Sequence, residues 1–240
     1  MYVDKDSDPN TLLGRNLTVG LLDHVGKAIV TGFYDSKSFP TEAQLADQYK
    51  VSRSVTREAV KMLTAKGLLT ARPRQGTVIQ ATRHWNLLDK DVLRWLLERK
   101  FSLQLLRQFT ELRVSIEPKA AELASGSAGY DDLQRIKKAF DRMVLADGGE
   151  GDPTEADIDF HVAILKASGN PFFWRLKPLI TNALHLSIQL TNKISGHMAD
   201  IHAHEAILIA IEKGDAAAAR KASEDILLES LNFIEKAQAD

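Results

Sequence analysis

The sequence predicts a mainly α protein: an N-terminal winged helix-turn-helix followed by an all-α antiparallel helical bundle. Three observations predict it. Residues 17–67 carry helical apolar spacing broken by turn residues in the order helix, helix, turn, helix. The period then changes, and "LLTAR" and "TVIQA" read as two short strands around "PRQG". From about Asp91 onward the apolar spacing is helical throughout. The expected division is 1–81 for the winged helix-turn-helix, 82–90 for a linker, and 91–240 for the helical domain.

Each element has a local reason. Leu21, Leu22, Val25 and Ile29 form one stripe of a first helix over Leu17–Thr31, which Gly32 ends. Thr41 and Gln44 have capping-box spacing just after Pro40, predicting a short helix to about Tyr49. "KVS" turns the chain, and Ser52 caps a third helix with Val55, Ala59, Met62 and Leu63 on one face and Gly67 as its stop. In the body, Leu105, Phe109, Leu112, Ile116, Ala120 and Leu123 step at helical spacing. Further helices are expected near 130–146, 154–168, 172–191, 198–213 and 216–237. They are separated by "SGSAGY", "DGGEGDPT", "SGNP" and "KGD", which is turn chemistry. These make an antiparallel bundle of six or seven helices.

Composition narrows the function. No apolar run approaches the roughly 20 residues that span a bilayer. The acidic, polar "MYVDKDSDPN" reads as neither signal nor transit peptide. There is no cysteine, so disulfides and thiolate metal sites are excluded, and a reducing cytoplasm fits. Residues 1–84 hold twelve Lys and Arg against eight Asp and Glu, a net +4, while the rest nets -5. A basic front piece on an acidic body suggests that the front meets a polyanion.

In a helix-turn-helix the second helix of the pair enters the major groove with its first residues at the base edges. Those residues are Ser52, Arg53, Ser54, Thr56 and Arg57. Arginine can bond guanine O6 and N7 together, and hydroxyls reach phosphates or bases. Arg72 and Arg74 sit where a wing would reach the neighbouring groove or backbone. The bland alternative is a solvated charged face on an ordinary helix.

"FPTEAQLADQYKVSRSVTREAVKMLTAKGLLTARPRQGTVI" resembles the N-terminal domain of GntR-type bacterial transcription regulators. The resemblance implies DNA contacts from Arg53 and Arg57 and a wing glycine at Gly76. Two positions depart from the pattern. Ala43 stands where the family usually has a DNA-touching arginine, and Arg74 stands where a wing glycine is usual. "ELRVSIEPKAAELAS", "DIDFHVAILKASGNP" and "HEAILIAIEKGDAAAAR" resemble the all-helical effector domain of the FadR branch, called FCD. "WNLLDKDVLRWLLE" is similar to the galactonate-operon repressors within that branch.

The residues of the body also speak for themselves. Asp157 and His161 are i, i+4 on one helix face, a spacing that can grip one ion or polar ligand. His204 shares a face with Ile201, Leu208 and Ile211, so it points inward and needs a partner there. Taken singly, each could be a satisfied core residue. His202 and His197 are nearby in sequence, and His197 could also face inward. The resemblance implies metal ligation by Asp157, His161, His204 and a fourth histidine, whose place falls on Ile226. Isoleucine cannot ligate, so the implied Zn²⁺ or other divalent-metal site has an incomplete ligand set. Two alternatives stay open: three ligands plus water or effector oxygen hold a metal, or the three side chains hydrogen-bond a hydroxylated ligand directly. Arg113 resembles the family arginine that meets an effector carboxylate, a role its two-pronged donor suits. Its other reading is a surface pair with Glu117. Pro118 makes that helix unusual.

These readings converge on a cytoplasmic, homodimeric transcriptional regulator, a repressor more readily than an activator. The front domain binds palindromic double-stranded operator DNA. The helical domain binds a small carboxylate effector, with a sugar acid favoured, between Arg113 and Asp157, His161 and His204. No membrane partner is expected. One rival is a helical metal-dependent enzyme with a DNA-binding tag, but no nucleophile elbow or phosphate loop supports it. A second is an acyl-thioester-responsive regulator, which the polar set opposes.

Overall fold

The computed structural model describes residues 16–99, 102–194 and 200–239. The chain divides into two compact units, Met1–Phe101 and Ser102–Asp240. No helix among the described residues is long and apolar enough to cross a membrane.

The first unit opens with α1, Leu17–Val30, whose buried Leu21, Leu22, Val25 and Ile29 are the expected stripe. Asn16 caps it, and Gly32 leaves it at a φ of +84°. The next helix, α2 (Glu42–Gln48), carries both halves of its capping box. Thr41 Oγ1 accepts from the Gln44 amide at 3.3 Å, and Gln44 Oε1 accepts from the Thr41 amide at 2.9 Å. Ser52 caps α3 (Arg53–Ala65) by accepting from the Val55 amide. β1 (Leu69–Arg72) and β2 (Gly76–Ile79) pair antiparallel, with Leu69 opposite Ile79 and Arg72 opposite Gly76.

The segment after the hairpin is tied to the rest of this unit. The Trp85 indole donates to the Gln80 carbonyl, and the Asn86 amide donates to the Lys66 carbonyl, both at 2.9 Å. Gly67 has a φ of +76°, and a Cβ there would stand 2.1 Å from the His84 carbonyl oxygen. Lys66 Nζ lies 2.8 Å from both Asp89 oxygens and from Asp91 Oδ2. Asp89 also caps α4, Lys90–Leu97. Trp95 of α4 is fully buried against Gly26 of α1, and its indole donates to Asp23 Oδ1 at 2.7 Å. Residues 82–90, expected as a linker, and α4, expected with the bundle, therefore pack with the first unit. The cause is side-chain chemistry at Lys66, Asp89 and Trp95, which apolar periodicity does not report.

The second unit contains α5 (Leu103–Ser127), α6 (Tyr130–Asp147), α7 (Pro153–Ala167), α8 (Pro171–Arg175), α9 (Lys177–Ile194), α10 (Ile201–Glu212) and α11 (Ala216–Ala239). The helix expected over 172–191 is two helices. Pro178 has no amide hydrogen to bond the Trp174 carbonyl one turn back, so the helix restarts at Lys177. Arg107 pairs with Glu235 and Arg220 with Glu122, which fixes α11 antiparallel to α5. Ala120, Ala121 and Ala124 of α5 are fully buried, as is Ala219 of α11, and small side chains let helices approach closely. Phe160, Leu165, Ile180 and Ile207 belong to the same core. The most buried residues of α5 are Leu106, Phe109, Thr110, Arg113, Glu117, Pro118, Ala120, Ala121 and Ala124. That face is rotated from the expected stripe, and Leu105, Leu112, Ile116 and Leu123 are only half-buried.

Candidate functional sites

In the first unit, α3 divides cleanly into two faces. Ala59, Val60 and Leu63 are buried, whereas Ser52, Arg53, Ser54 and Arg57 are exposed together at its start. Ser52 spends its oxygen lone pair on the Val55 amide, which leaves its hydroxyl proton free to donate. Arg57 Nε stands 3.5 Å from Glu42 Oε2 of α2, a long contact between exposed groups that water screens. Thr56 corrects the sequence reading. It is 0 % exposed and its hydroxyl donates to the Ser52 carbonyl, so it belongs to the core side of α3 and not to the reading face. Arg72, Arg74 and Gly76 are all exposed on the hairpin. Arg74 has a φ of +64° and Gly76 of +75°; nothing lies within 4 Å of a Cβ built at Gly76. Glycine is favoured there by backbone conformation alone, and Arg74 holds a left-handed conformation that costs a non-glycine residue about 1 kcal/mol.

The second unit brings Arg113, Asp157, His161 and His204 into one buried cluster from α5, α7 and α10. Two short contacts orient the imidazoles. His161 Nδ1 donates to Glu117 Oε2 at 2.7 Å, and His204 Nδ1 donates to the Asp200 carbonyl at 2.6 Å. Both acceptors lack protons, so in the neutral rings the Nε2 lone pairs are the free ones. They point at each other and at Asp157. His161 Nε2 and His204 Nε2 are 3.4 Å apart, and Asp157 Oδ1 lies 3.3 Å from the first and 3.1 Å from the second. Despite that proximity, Asp157 Oδ1 is buried with no hydrogen-bond partner. Phe160 makes T-shaped ring contacts with both imidazoles.

Three lone pairs facing one another in a dry interior repel unless a cation joins them. A metal about 2.1 Å from three ligands at tetrahedral or octahedral angles would set them about 3.0–3.4 Å apart. The triangle has that size, and the orphaned Asp157 oxygen is one of its corners. Asp157, His161 and His204 thus form a group that could hold a metal ion.

Without a metal, a proton on His161 is the cation that joins the three groups. Burial opposes the charge on Asp157, yet the two imidazoles hold its carboxyl far below the usual range. Burial likewise opposes the charge on Glu117, but Arg113 and then His161 bring it down to about 2. His161 is pushed up to about 9, because the Glu117 and Asp157 charges outweigh its burial. Arg113 Nε donates to Glu117 Oε1 at 2.6 Å and an Nη to Oε2 at 3.4 Å. The pair with Glu117 is therefore real but buried, each side chain being 3 % exposed.

Glu117 joins the site beyond the residues that the sequence singles out. Its sequence signal is the i, i+4 distance from Arg113 along the same face as Phe109 and Ala120, which marks a charged pair inside a buried stripe. His202 is 96 % exposed and stands apart from the cluster. His197 lies outside the described residues. Ile226 packs against the bundle core from α11.

Comparison with known proteins bears on both units. The model of the gntR family of bacterial regulatory proteins matches residues 24–79, and that of the FCD domain matches residues 108–229. The galactonate operon transcriptional repressor of Escherichia coli (strain K12) is 31% identical over 211 residues, covering 87% of this chain and 92% of that protein. The chain belongs to the GntR family. The Uxu operon transcriptional regulator of the same strain is 28% identical over 208 residues, covering 81% of this chain and 77% of its own length. The Streptococcus agalactiae GntR structure aligns with a TM-score of 0.51 and 26% identity, covering 90% of this chain and 99% of that one. This GntR-family chain is a ligand-responsive transcriptional regulator and not an enzyme, so the enzyme rival is set aside. GntR regulators bind operator DNA and small-molecule effectors.

Proposed function

We propose that this regulator is a cytoplasmic homodimeric repressor whose effector is a sugar acid of the aldonate type. In this reading a divalent metal is held by Asp157, His161 and His204. The observation that carries the site is the triangle of His161 Nε2, His204 Nε2 and the partnerless Asp157 Oδ1. Such an ion would supply a Lewis-acid point that a carboxylate and its neighbouring hydroxyl could bind together. Three protein ligands leave positions for that purpose, which suits Ile226 in place of a fourth. Arg113 keeps its place beside the ligand, sharing its charge with Glu117.

The likeness to a galactonate operon transcriptional repressor supports a sugar-acid pathway and repression. Two DNA-reading heads on a two-fold axis suit a palindromic operator. Effector binding shifts the population of bundle arrangements, because three helices must close on one ligand. The test is a thermal-shift panel with added Zn²⁺, comparing galactonate, gluconate, short dicarboxylates and acyl-thioesters, followed by operator binding with each hit. Aldonates should raise the melting temperature and release DNA. A shift only with dicarboxylates or acyl-thioesters sinks the sugar-acid reading. A stabilising aldonate without DNA release sinks the coupling.

A further inference from the structure

His204 is oriented by a main-chain carbonyl, which no substitution at Asp200 removes directly. His161 is oriented by a side chain. Glu117 brings its carboxylate from α5 to His161 on α7, and the two oxygens divide their work. Oε1 takes the Arg113 Nε proton at 2.6 Å, and Oε2 takes the His161 Nδ1 proton at 2.7 Å. With each oxygen occupied by a short donor, the carboxylate cannot rotate away without breaking both contacts.

We propose that Glu117 is the positioning residue of this centre: held by Arg113, it fixes the Nδ1–H form of His161 and aims the Nε2 lone pair at the point shared with His204 and Asp157. This inference rests on the metal reading given above. A neutral imidazole can carry its proton on either nitrogen, and only the Nδ1–H form leaves Nε2 free to ligate. A carboxylate on the far nitrogen also makes the ring a stronger donor to metal. Glu117 touches neither the ion nor the effector in this scheme. Arg113 acts one step further back, by keeping the carboxylate ionised and facing His161.

The experiment titrates the full-length, metal-free protein with Co²⁺, followed by visible absorption, and reads His161 ring-nitrogen NMR shifts in the Zn²⁺-loaded form. Two variants bracket the role. Glu117→Gln keeps the shape and a carbonyl acceptor but loses the charge. Arg113→Met combined with Glu117→Leu removes the acceptor without stranding a buried guanidinium. Affinity for Co²⁺ should fall about 10–100-fold in the double variant, with Glu117→Gln between it and wild type. The protonated-Nδ1 signature of His161 should persist in wild type and be lost in the double variant, with both variants still folded at the temperature of the titration. If wild type binds Co²⁺ through His161 and Glu117→Gln binds within about twofold of it, Glu117 does not position the ligand. If the wild type takes up no Co²⁺, the metal reading falls and this inference falls with it.

Discussion

The Trp95 ring lies so close over Gly26 that a Cβ on that glycine would stand 2.2 Å from Trp95 Cη2. Glycine inside α1 costs helix stability, yet here it makes the hole that Trp95 fills. Gly26→Ala should gain about 1 kcal/mol of helix propensity but force an overpacked contact worth about 1–3 kcal/mol. The overpacking outweighs the gain because Trp95 is 0 % exposed and its indole is also fixed to Asp23. A lower melting temperature for the first unit is expected, and an unchanged or higher one refutes the packing argument.

Lys66 serves two carboxylates at once, Asp89 and Asp91, and is itself mostly buried. Lys66→Met would leave two neighbouring carboxylates without their cation. The expected loss is about 1–3 kcal/mol, below that of a fully buried pair because water reaches part of the cluster. Chemical denaturation of the variant should show it. Asp89→Asn with Lys66→Met should recover part of the loss, and no recovery would mean that the ion contacts do not matter.

On α3, recognition and stability should separate by residue. Arg53→Ala and Arg57→Ala should each weaken operator binding by about 1–3 kcal/mol and relax specificity. Arg74→Ala should weaken binding evenly across sequences and flatten its salt dependence. Thr56→Val should lower stability and leave base preference unchanged, because its hydroxyl bonds Ser52 inside the fold. Binding assays at fixed and varied salt decide all four, and a change of base preference in Thr56→Val overturns the assignment of faces.

Acid and base should act on the buried cluster in opposite directions with and without metal. In the metal-free protein His161 titrates at about 9, above its ordinary 6.5. The stability it contributes is complete below 6.5 and is lost as pH rises through 9. Glu117, lowered from 4.5 to about 2, contributes stability above 4.5 that is lost as pH falls through 2. Metal binding must displace the His161 proton, so Zn²⁺ affinity should climb about tenfold per pH unit up to about 9 and then level. An affinity flat from neutral pH upward would remove His161 from the ligand set.

Ile226 offers a gain-of-function test. With three protein ligands, metal in the purified protein should be sub-stoichiometric and removable by chelator. Ile226→His should tighten Zn²⁺ binding if α11 brings that side chain to the cluster. A full equivalent of metal that resists prolonged chelation in the unaltered protein would mean that the ligand set is larger than these three.

Much of this architecture is legible because its signals are local. Thr41 with Gln44, Ser52 and Gly67 each write a helix end in one or a few residues, and the hairpin announces itself by a change of period. The convergence of Asp157, His161 and His204 was readable because two share a helix face and the third sits in an apolar stripe. What escaped involves contacts distant in sequence. Lys66 reaches residues 23 and 25 positions away, and that reach draws the connector into the first unit. Thr56 looked like part of the reading face, since spacing alone does not say which way a hydroxyl turns. In the sequence Glu117 is legible only as the neighbour of Arg113, because its second partner, His161, comes from another helix.

The buried cluster also has an arithmetic of valence. With both imidazoles neutral, Arg113, Glu117 and Asp157 sum to one negative charge, and a proton on His161 restores neutrality. A divalent ion in place of that proton tips the balance to one positive charge. An interior tolerates an uncompensated charge poorly. A ligand carrying a single negative charge returns the cluster to zero, whereas a doubly charged one overshoots. Electroneutrality, more than shape, would then separate an aldonate from a dicarboxylate of similar length, and the two ionisation states of one ligand would compete on those terms.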